Sequence, residues 1–171
     1  MEAKKISDDL SVSPQISADD IKEIARLGFR SIICNRPDGE GSDQPTFDEI
    51  TKAASDAGLE TRYLPIVSGK VTDQNADEFG SLLGVLPGPV FAYCRTGTRS
   101  ATLWSLSQAS RLATSEILRA TKAAGYDMGG VVRRIVNGGK TPTDQADAKY
   151  DVVIVGGGAA GISIASSLQA R

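Results

Sequence analysis

Short apolar runs alternate with amphipathic stretches along most of this chain. Leu10-Ser11-Val12 reads as a weak opening strand. Ser17 then takes the position of an N-cap, with Ile21, Ile24, Ala25 and Leu27 on one helical face and Gly28 as the stop. Ser31-Ile32-Ile33-Cys34 is a continuous apolar run of strand length, followed by a polar stretch from Asn35 to Pro45. Thr46 with Glu49 forms a capping box that opens a helix to Ala57, ended by Gly58. The next strand is predicted over Arg62 to Ile66. Thr72 caps a helix whose core face is Ala76, Phe79, Leu82 and Leu83. Pro87-Gly88-Pro89 turns the chain into the apolar run Val90-Phe91-Ala92-Tyr93, and helical segments follow at 99–111, 115–124 and 128–137.

Strands that alternate with helices predict an α/β fold, a mostly parallel sheet flanked by helices on both faces. Ligands of such sheets bind beyond the carboxyl ends of the strands, and Cys94 falls at such an end. The pattern divides the chain into a domain over 1–138, a polar linker over 139–148 and a change of character over 149–171. There Tyr150 to Val155 reads as a strand, Gly156, Gly158 and Gly161 as a dinucleotide-binding turn, and Ile162 onward as a helix. The chain stops at Arg171, before the second strand and ribose-binding acid of such a unit, which predicts a fragment whose cofactor site would need a complete parent chain.

Composition narrows the chemistry. The net charge of −2 leaves no basic footprint for nucleic acid, and no run approaches the eighteen or so apolar residues of a membrane span. Two cysteines and no signal-peptide pattern predict a cytoplasmic setting. The chain has no histidine, which excludes serine–histidine and cysteine–histidine catalysis and the common zinc sites. No metal is expected, and the 1–138 domain is expected to need no cofactor.

Candidate chemistry concentrates in Cys94-Arg95-Thr96-Gly97-Thr98-Arg99-Ser100, between the last strand and a helix. Helix N-termini carry unpaired N–H groups and roughly half a positive charge, so they favour an anion or a thiolate. A thiolate held there is a nucleophile at neutral pH. The expected catalytic residues are Cys94, Arg99 and Ser100, the last as a donor to the Cys94 sulfur. Arg95, Thr96, Gly97 and Thr98 are expected to bind an anionic substrate, with Gly97 giving close backbone approach and Arg95 facing outward. Cys34 ends a strand expected beside that of Cys94, which makes it a candidate resolving thiol against the plainer reading of a packed cysteine. Asp38 and Glu40 are expected in a solvated turn, against the alternative that they line the site.

Ile6 to Leu10, Gly28 to Ile33, Asn35 to Glu40 and Gly88-Pro89-Val90 leading to Cys94–Ser100 resemble the phosphatase-like domain of beta-lactamase-hydrolase-like proteins, also grouped with sulfur transferases, over residues 4 to 137. The resemblance implies a dual-specificity-phosphatase-like fold with a rhodanese-like active-site loop. Phosphatases of that fold carry C-x-x-x-x-x-R, whereas Arg99 follows Cys94 after four residues, the rhodanese spacing, and Tyr93 stands where a histidine is usual. Their general acid comes from the loop after the preceding strand, where only Asp73 is available. Sulfur transfer needs no such acid, because sulfite or a thiolate leaves readily. The leading expectation is therefore a sulfurtransferase working through a Cys94 persulfide, with small anionic sulfur donors and thiol acceptors as partners. The alternatives are a cysteine-dependent phosphatase and a non-catalytic anion- or persulfide-binding module. The tail resembles the start of a flavin-dependent sulfide:quinone-oxidoreductase-like domain, which implies FAD in a full-length parent and a fused or associated oxidoreductase as partner.

Overall fold

In the computed structural model, residues 1–143 are described, and Met1–Gly139 form one unit. The expectations placed on the glycine motif Gly156, Gly158 and Gly161 lie outside the described residues.

Five strands make one sheet: β1 (Lys4–Ser7), β2 (Leu10–Ser13), β3 (Ser31–Cys34), β4 (Glu60–Tyr63) and β5 (Val90–Tyr93). Their spatial order is β1-β2-β5-β3-β4, with β1 antiparallel to β2 and the other pairings parallel. The α/β class and the mostly parallel sheet thus stand as expected. Two strand expectations need correction. β1 was not anticipated, because Lys4-Lys5-Ile6-Ser7 is an edge strand with one buried residue and lacks an apolar run. β4 lies two residues earlier than Arg62–Ile66, because its register against β3 runs from Ser31↔Glu60 to Cys34↔Tyr63 and the apolar Leu64 and Ile66 fall in the loop beyond.

Helices cover both faces. Strand side chains alternate between them: Val12, Ile33, Val90 and Ala92 pack under α3 (Asp73–Val85), α4 (Thr98–Gln108), α5 (Thr114–Ala123) and α6 (Val132–Val136), with Phe79, Leu103, Trp104, Ile117 and Ile135 filling the layer. Ile32, Cys34, Phe91 and Tyr93 face the other way, onto α1 (Ile21–Arg26) and α2 (Phe47–Asp56). The capping box anticipated at Thr46 is present, and Thr72 caps α3 as expected, there too within a capping box. From Arg99 to Leu106 every residue of α4 is buried, and two of its polar members are satisfied within the helix: the Thr102 and Ser105 hydroxyls donate to the carbonyls of Thr98 and Ala101, each at 2.8 Å. Burial on all sides fixes the N-terminus of α4 against the sheet.

Phe79 lies between α4 and the sheet with no exposed surface. Phe79→Ala is expected to destabilise the domain by about 3–5 kcal/mol, the range for emptying a buried aromatic site; urea denaturation checks it, and a loss below about 1 kcal/mol would mean the layer collapses around the cavity.

Candidate active site

The parallel strands end level. Ser13, Tyr93, Cys34 and Tyr63 stand side by side in the register of β2, β5, β3 and β4, so the loops that follow leave the sheet from one edge. The ladder continues into those loops. The amides of Cys94, Asn35, Leu64 and Ile66 donate to Ser13, Tyr93, Cys34 and Asn35 carbonyls at 3.3, 2.8, 2.9 and 3.0 Å. Gln15 N–H donates to the Arg95 carbonyl at 3.2 Å. Cys94, at the end of the central strand, is thereby anchored from both sides and has no exposed surface.

The Cys94 sulfur accepts the Gly97 N–H at 3.1 Å. Gly97 is the N-cap of α4 at φ +95°, a left-handed conformation that favours glycine. A Cβ there would also collide with the ring and hydroxyl of Tyr126, whose O–H donates to the Thr96 carbonyl at 3.0 Å. The glycine was expected to admit a ligand; the close approach it permits is that of Tyr126. This tyrosine, in the turn after α5, was missed by sequence reasoning, since nothing in its local pattern links it to a loop thirty residues earlier. Burial pushes its phenol up to about 12, so it stays a donor. Thr96 and Thr98 are exposed and bond to each other at 3.0 Å, with the Thr98 N–H directed to the Thr96 hydroxyl at 3.4 Å. Arg95 is exposed, as anticipated.

Arg99 is buried and shared. Nη1 donates to Glu40 Oε2 and to the Ile66 carbonyl, both at 2.8 Å, and Nη2 donates to Glu40 Oε1 at 2.9 Å. Of its five N–H bonds this leaves Nε–H and one proton of Nη2. The guanidinium is also within hydrogen-bond reach of the Cys94 sulfur. Its hydrogen bonds to Glu40 raise its pKa further. Glu40 is in turn held by Arg36 Nε at 2.8 Å, and Arg36 Nη1 donates to Gln15 Oε1 at 3.0 Å. The Arg99 hydrogen bonds, with those of Arg36, hold the Glu40 carboxyl down at about 2. Glu40 is exposed, as a solvated turn implies, but its carboxylate is paired with two arginines. The solvated turn holds better for Asp38, whose carboxylate accepts the Phe47 N–H at the start of α2 at 2.8 Å.

Two further expectations, for Ser100 and Asp73, are corrected, and Cys34 is placed by its surroundings. Ser100 does not donate to Cys94: its one proton goes to Asn35 Oδ1 at 2.7 Å, and Asn35 Nδ2 donates to the Leu64 carbonyl at 2.9 Å. Ser100 thus locks α4 to the ends of β3 and β4. Cys34 ends the strand beside β5 as anticipated, yet its side chain joins the α1–α2 layer, its S–H donates to the Arg36 carbonyl at 3.3 Å, and both cysteines are free thiols. Burial pushes its thiol up, which suits a packed cysteine. Asp73, the candidate general acid, accepts from Arg134 Nη2 at 2.9 Å and is not among the residues lining the cavity above the loop.

That cavity, about 740 Å³, is bounded by Arg95, Thr96, Thr98, Arg99 and Thr102 from the loop after β5 and α4, by Arg36 and Glu40–Asp43 from the loop after β3, and by Ser68, Gly69, Val71, Val131 and Arg134. The mostly parallel sheet flanked by helices, with a buried cysteine just past its central strand, is the architecture of a phosphatase-like domain. The chain belongs to the family described as beta-lactamase hydrolase-like protein, phosphatase-like domain, which matches residues 2–111. It is 34% identical over 134 residues to a beta-lactamase hydrolase-like protein of Xylella fastidiosa strain Temecula1, covering 77% of this chain and 31% of that protein, so it spans about a third of that relative's length. Among solved structures it is similar to a phosphatase candidate from Neisseria meningitidis Z2491, with 36% identity, a TM-score of 0.74 and coverage of 81% and 99%. It also shares a fold with the catalytic core of the PP-IP phosphatase SIW14 from S. cerevisiae at 12% identity, a TM-score of 0.60 and coverage of 78% and 82%. Among the described residues no helix is long and apolar enough to cross a membrane.

Because the Glu40 carboxyl is held at about 2 against an ordinary 4.5, its ion pairs stabilise the fold fully above pH 4.5 and lose that effect as pH falls through 2. Glu40→Gln is expected to be less stable than the parent at pH 7 and to lose less stability between pH 4.5 and 2; parallel urea-midpoint profiles for the two proteins would contradict this. Tyr126→Phe keeps the ring and removes the donor to Thr96. It is expected to cost about 1 kcal/mol of stability and to change the rate at which iodoacetamide alkylates Cys94, whereas an unchanged rate would mean that the loop keeps its shape without that bond.

Proposed function

We propose that the domain is a sulfurtransferase in which Cys94 takes a sulfane sulfur from a small anionic donor and passes it to a thiol or to cyanide. The observation that supports this reading is that the carboxylate bonded to Arg99 and the one expected as general acid are both tied to arginines. Among the carboxylates that line the cavity, Glu40 is locked between two arginines, and Asp43 is exposed on the 35–45 loop; Asp73 is held by Arg134. Phosphate monoesters of alkyl alcohols leave poorly without a proton donor, while sulfite and thiolates leave without one. The four-residue interval between Cys94 and Arg99 supports the same reading.

The mechanism follows from the donors on hand. The Cys94 thiolate, facing the Gly97 N–H and the Arg99 guanidinium, attacks the outer sulfur of the donor. The S–S bond of the donor breaks, its electron pair leaves with sulfite or a thiolate, and Cys94 is left as a persulfide. Of the remaining Nε–H and Nη2–H of Arg99, one reaches the Cys94 sulfur and the other would bind the donor's anionic end. Glu40 holds the other side of the same guanidinium, so Arg99 cannot swing away, and a preorganised donor pair needs no rearrangement during the reaction. The acceptor then attacks the outer sulfur and restores the Cys94 thiolate.

A second reading, hydrolysis of phosphate esters through a Cys94 phosphoenzyme, is favoured by the names of the similar structures, which are those of phosphatases. The same loop amides and arginine would hold a phosphoryl group, and aryl phosphates, whose leaving groups need little protonation, would be its best substrates. The third possibility, an anion- or persulfide-binding module, uses the same cradle without turnover.

Incubation with thiosulfate and cyanide is expected to yield thiocyanate, with one sulfur atom added to the Cys94 peptide by mass spectrometry. Cys94→Ser should abolish both signals, and Asp73→Asn should leave thiocyanate formation within about twofold. Rapid phosphate release from an aryl phosphate without thiocyanate formation would transfer the assignment to the phosphatase. Tight sulfite binding with neither activity would leave the binding module.

A further inference from the structure

The cavity is far larger than a five-heavy-atom thiosulfate requires. At about 740 Å³ it falls within the range of clefts that enclose organic ligands of drug size. Its charge is also uneven for this chain: four arginines, Arg36, Arg95, Arg99 and Arg134, line it against two carboxylates, Glu40 and Asp43, in a protein of net charge −2. Glu40 accounts for Arg36 and Arg99 at the sulfur end. Arg134, on α6, lines the same cavity, as do Val71 and Val131. Two of its guanidinium nitrogens are engaged, Nη1 with the Val71 carbonyl at 2.8 Å and Nη2 with Asp73 at 2.9 Å. Its Nε is buried and has no hydrogen-bond partner among the described residues. A buried donor without a partner is uncommon in folded proteins and marks a place where a ligand or water completes the bonding.

Resting on the sulfurtransferase reading, we propose that the Arg134 wall is a second anion subsite, and that the donor is an organic persulfide bearing a carboxylate remote from its sulfur. Val71 and Val131 would pack the aliphatic part, Arg134 would receive the carboxylate, and the persulfide end would meet Cys94 under the Arg99 fork. The transfer balances without a further reagent. The Cys94 thiolate attacks the outer sulfur of R–S–SH, the S–S bond breaks, R–S⁻ departs with its electron pair, and the outer sulfur keeps its proton as Cys94–S–SH. The anionic R–S⁻ leaves from a cavity rich in arginine.

The test compares two persulfides of one shape, that of glutathione and that of its diethyl ester, in which both carboxylates are capped. Thiosulfate serves as the small donor. For the unaltered protein kcat/KM is expected to be at least tenfold higher with glutathione persulfide than with the ester. In Arg134→Gln that ratio should fall to within about twofold of one, through KM rather than kcat, and Arg134→Lys should recover part of it. Because each ratio is taken within one preparation, partial misfolding cancels. A ratio near one in the unaltered protein, or a ratio unmoved in Arg134→Gln while sulfur is still transferred, overturns the subsite and leaves the sulfurtransferase intact. Failure of all three donors to load sulfur on Cys94 overturns the sulfurtransferase reading itself, and the subsite with it.

Discussion

A guanidinium that is both buried and poised over a thiol has to be neutralised without being used up. Burying a charge is costly unless it is paired and hydrogen-bonded, and full pairing would leave Arg99 nothing to offer a substrate. Glu40 resolves this by taking one side of the fork, through Nη1 and Nη2, while the Ile66 carbonyl takes the second Nη1 proton. The carboxylate is steadied by Arg36, and Arg36 by Gln15. One charged chain therefore ties together the loops after β2, β3, β4 and β5. The site is rigid because its electrostatics leave its members few alternative partners, and rigidity of that kind keeps the two remaining Arg99 protons aimed.

The same hardware could serve phosphoryl or sulfur transfer, since both need a thiolate, amide donors and an arginine fork. What separates them is proton supply. Each carboxylate expected near the leaving group is committed elsewhere or lies on an exposed loop, and the one closest to Arg99 is held ionised over the whole working range of pH. Fold-level similarity alone does not choose between the two chemistries; the side chains on the loops after β3 and β4 do.

Most of the scaffold was legible in the chain. The capping box at Thr46, the cap at Thr72, the apolar run before Cys94 and the glycine at position 97 are local signals, and each marks the element it announces. The edge strand β1 has no such signal, because an edge needs little apolar burial, and β4 was displaced because Leu64 and Ile66 are buried by the loop rather than by the strand. At the site, Cys94 and Arg99 stood out by spacing. Their partners did not: Glu40 is 59 residues from Arg99, Asn35 is 65 from Ser100, and Tyr126 is 30 from Thr96. Such pairings come from strand register, which brings four loops to one edge. Nothing in the local sequence of Glu40 distinguishes a solvated turn from a bridge between two arginines.

The two cysteines make the role of surroundings plain. They follow neighbouring parallel strands, Cys34 as the last residue of β3 and Cys94 as the first beyond β5, and both are buried. Cys34 lies on the face lined by Ile32, Phe91 and Tyr93 and gives its proton to a carbonyl, and burial is the main cause that pushes its thiol up. One residue past the sheet, the chain turns at Gly97, an amide proton points back at sulfur and a guanidinium stands beside it. The difference between a packing residue and a candidate nucleophile is thus a change in which backbone groups face the sulfur: a carbonyl in one case, an N–H in the other. That choice is made by the left-handed turn at Gly97, and Tyr126 fills the space that any side chain at that position would need.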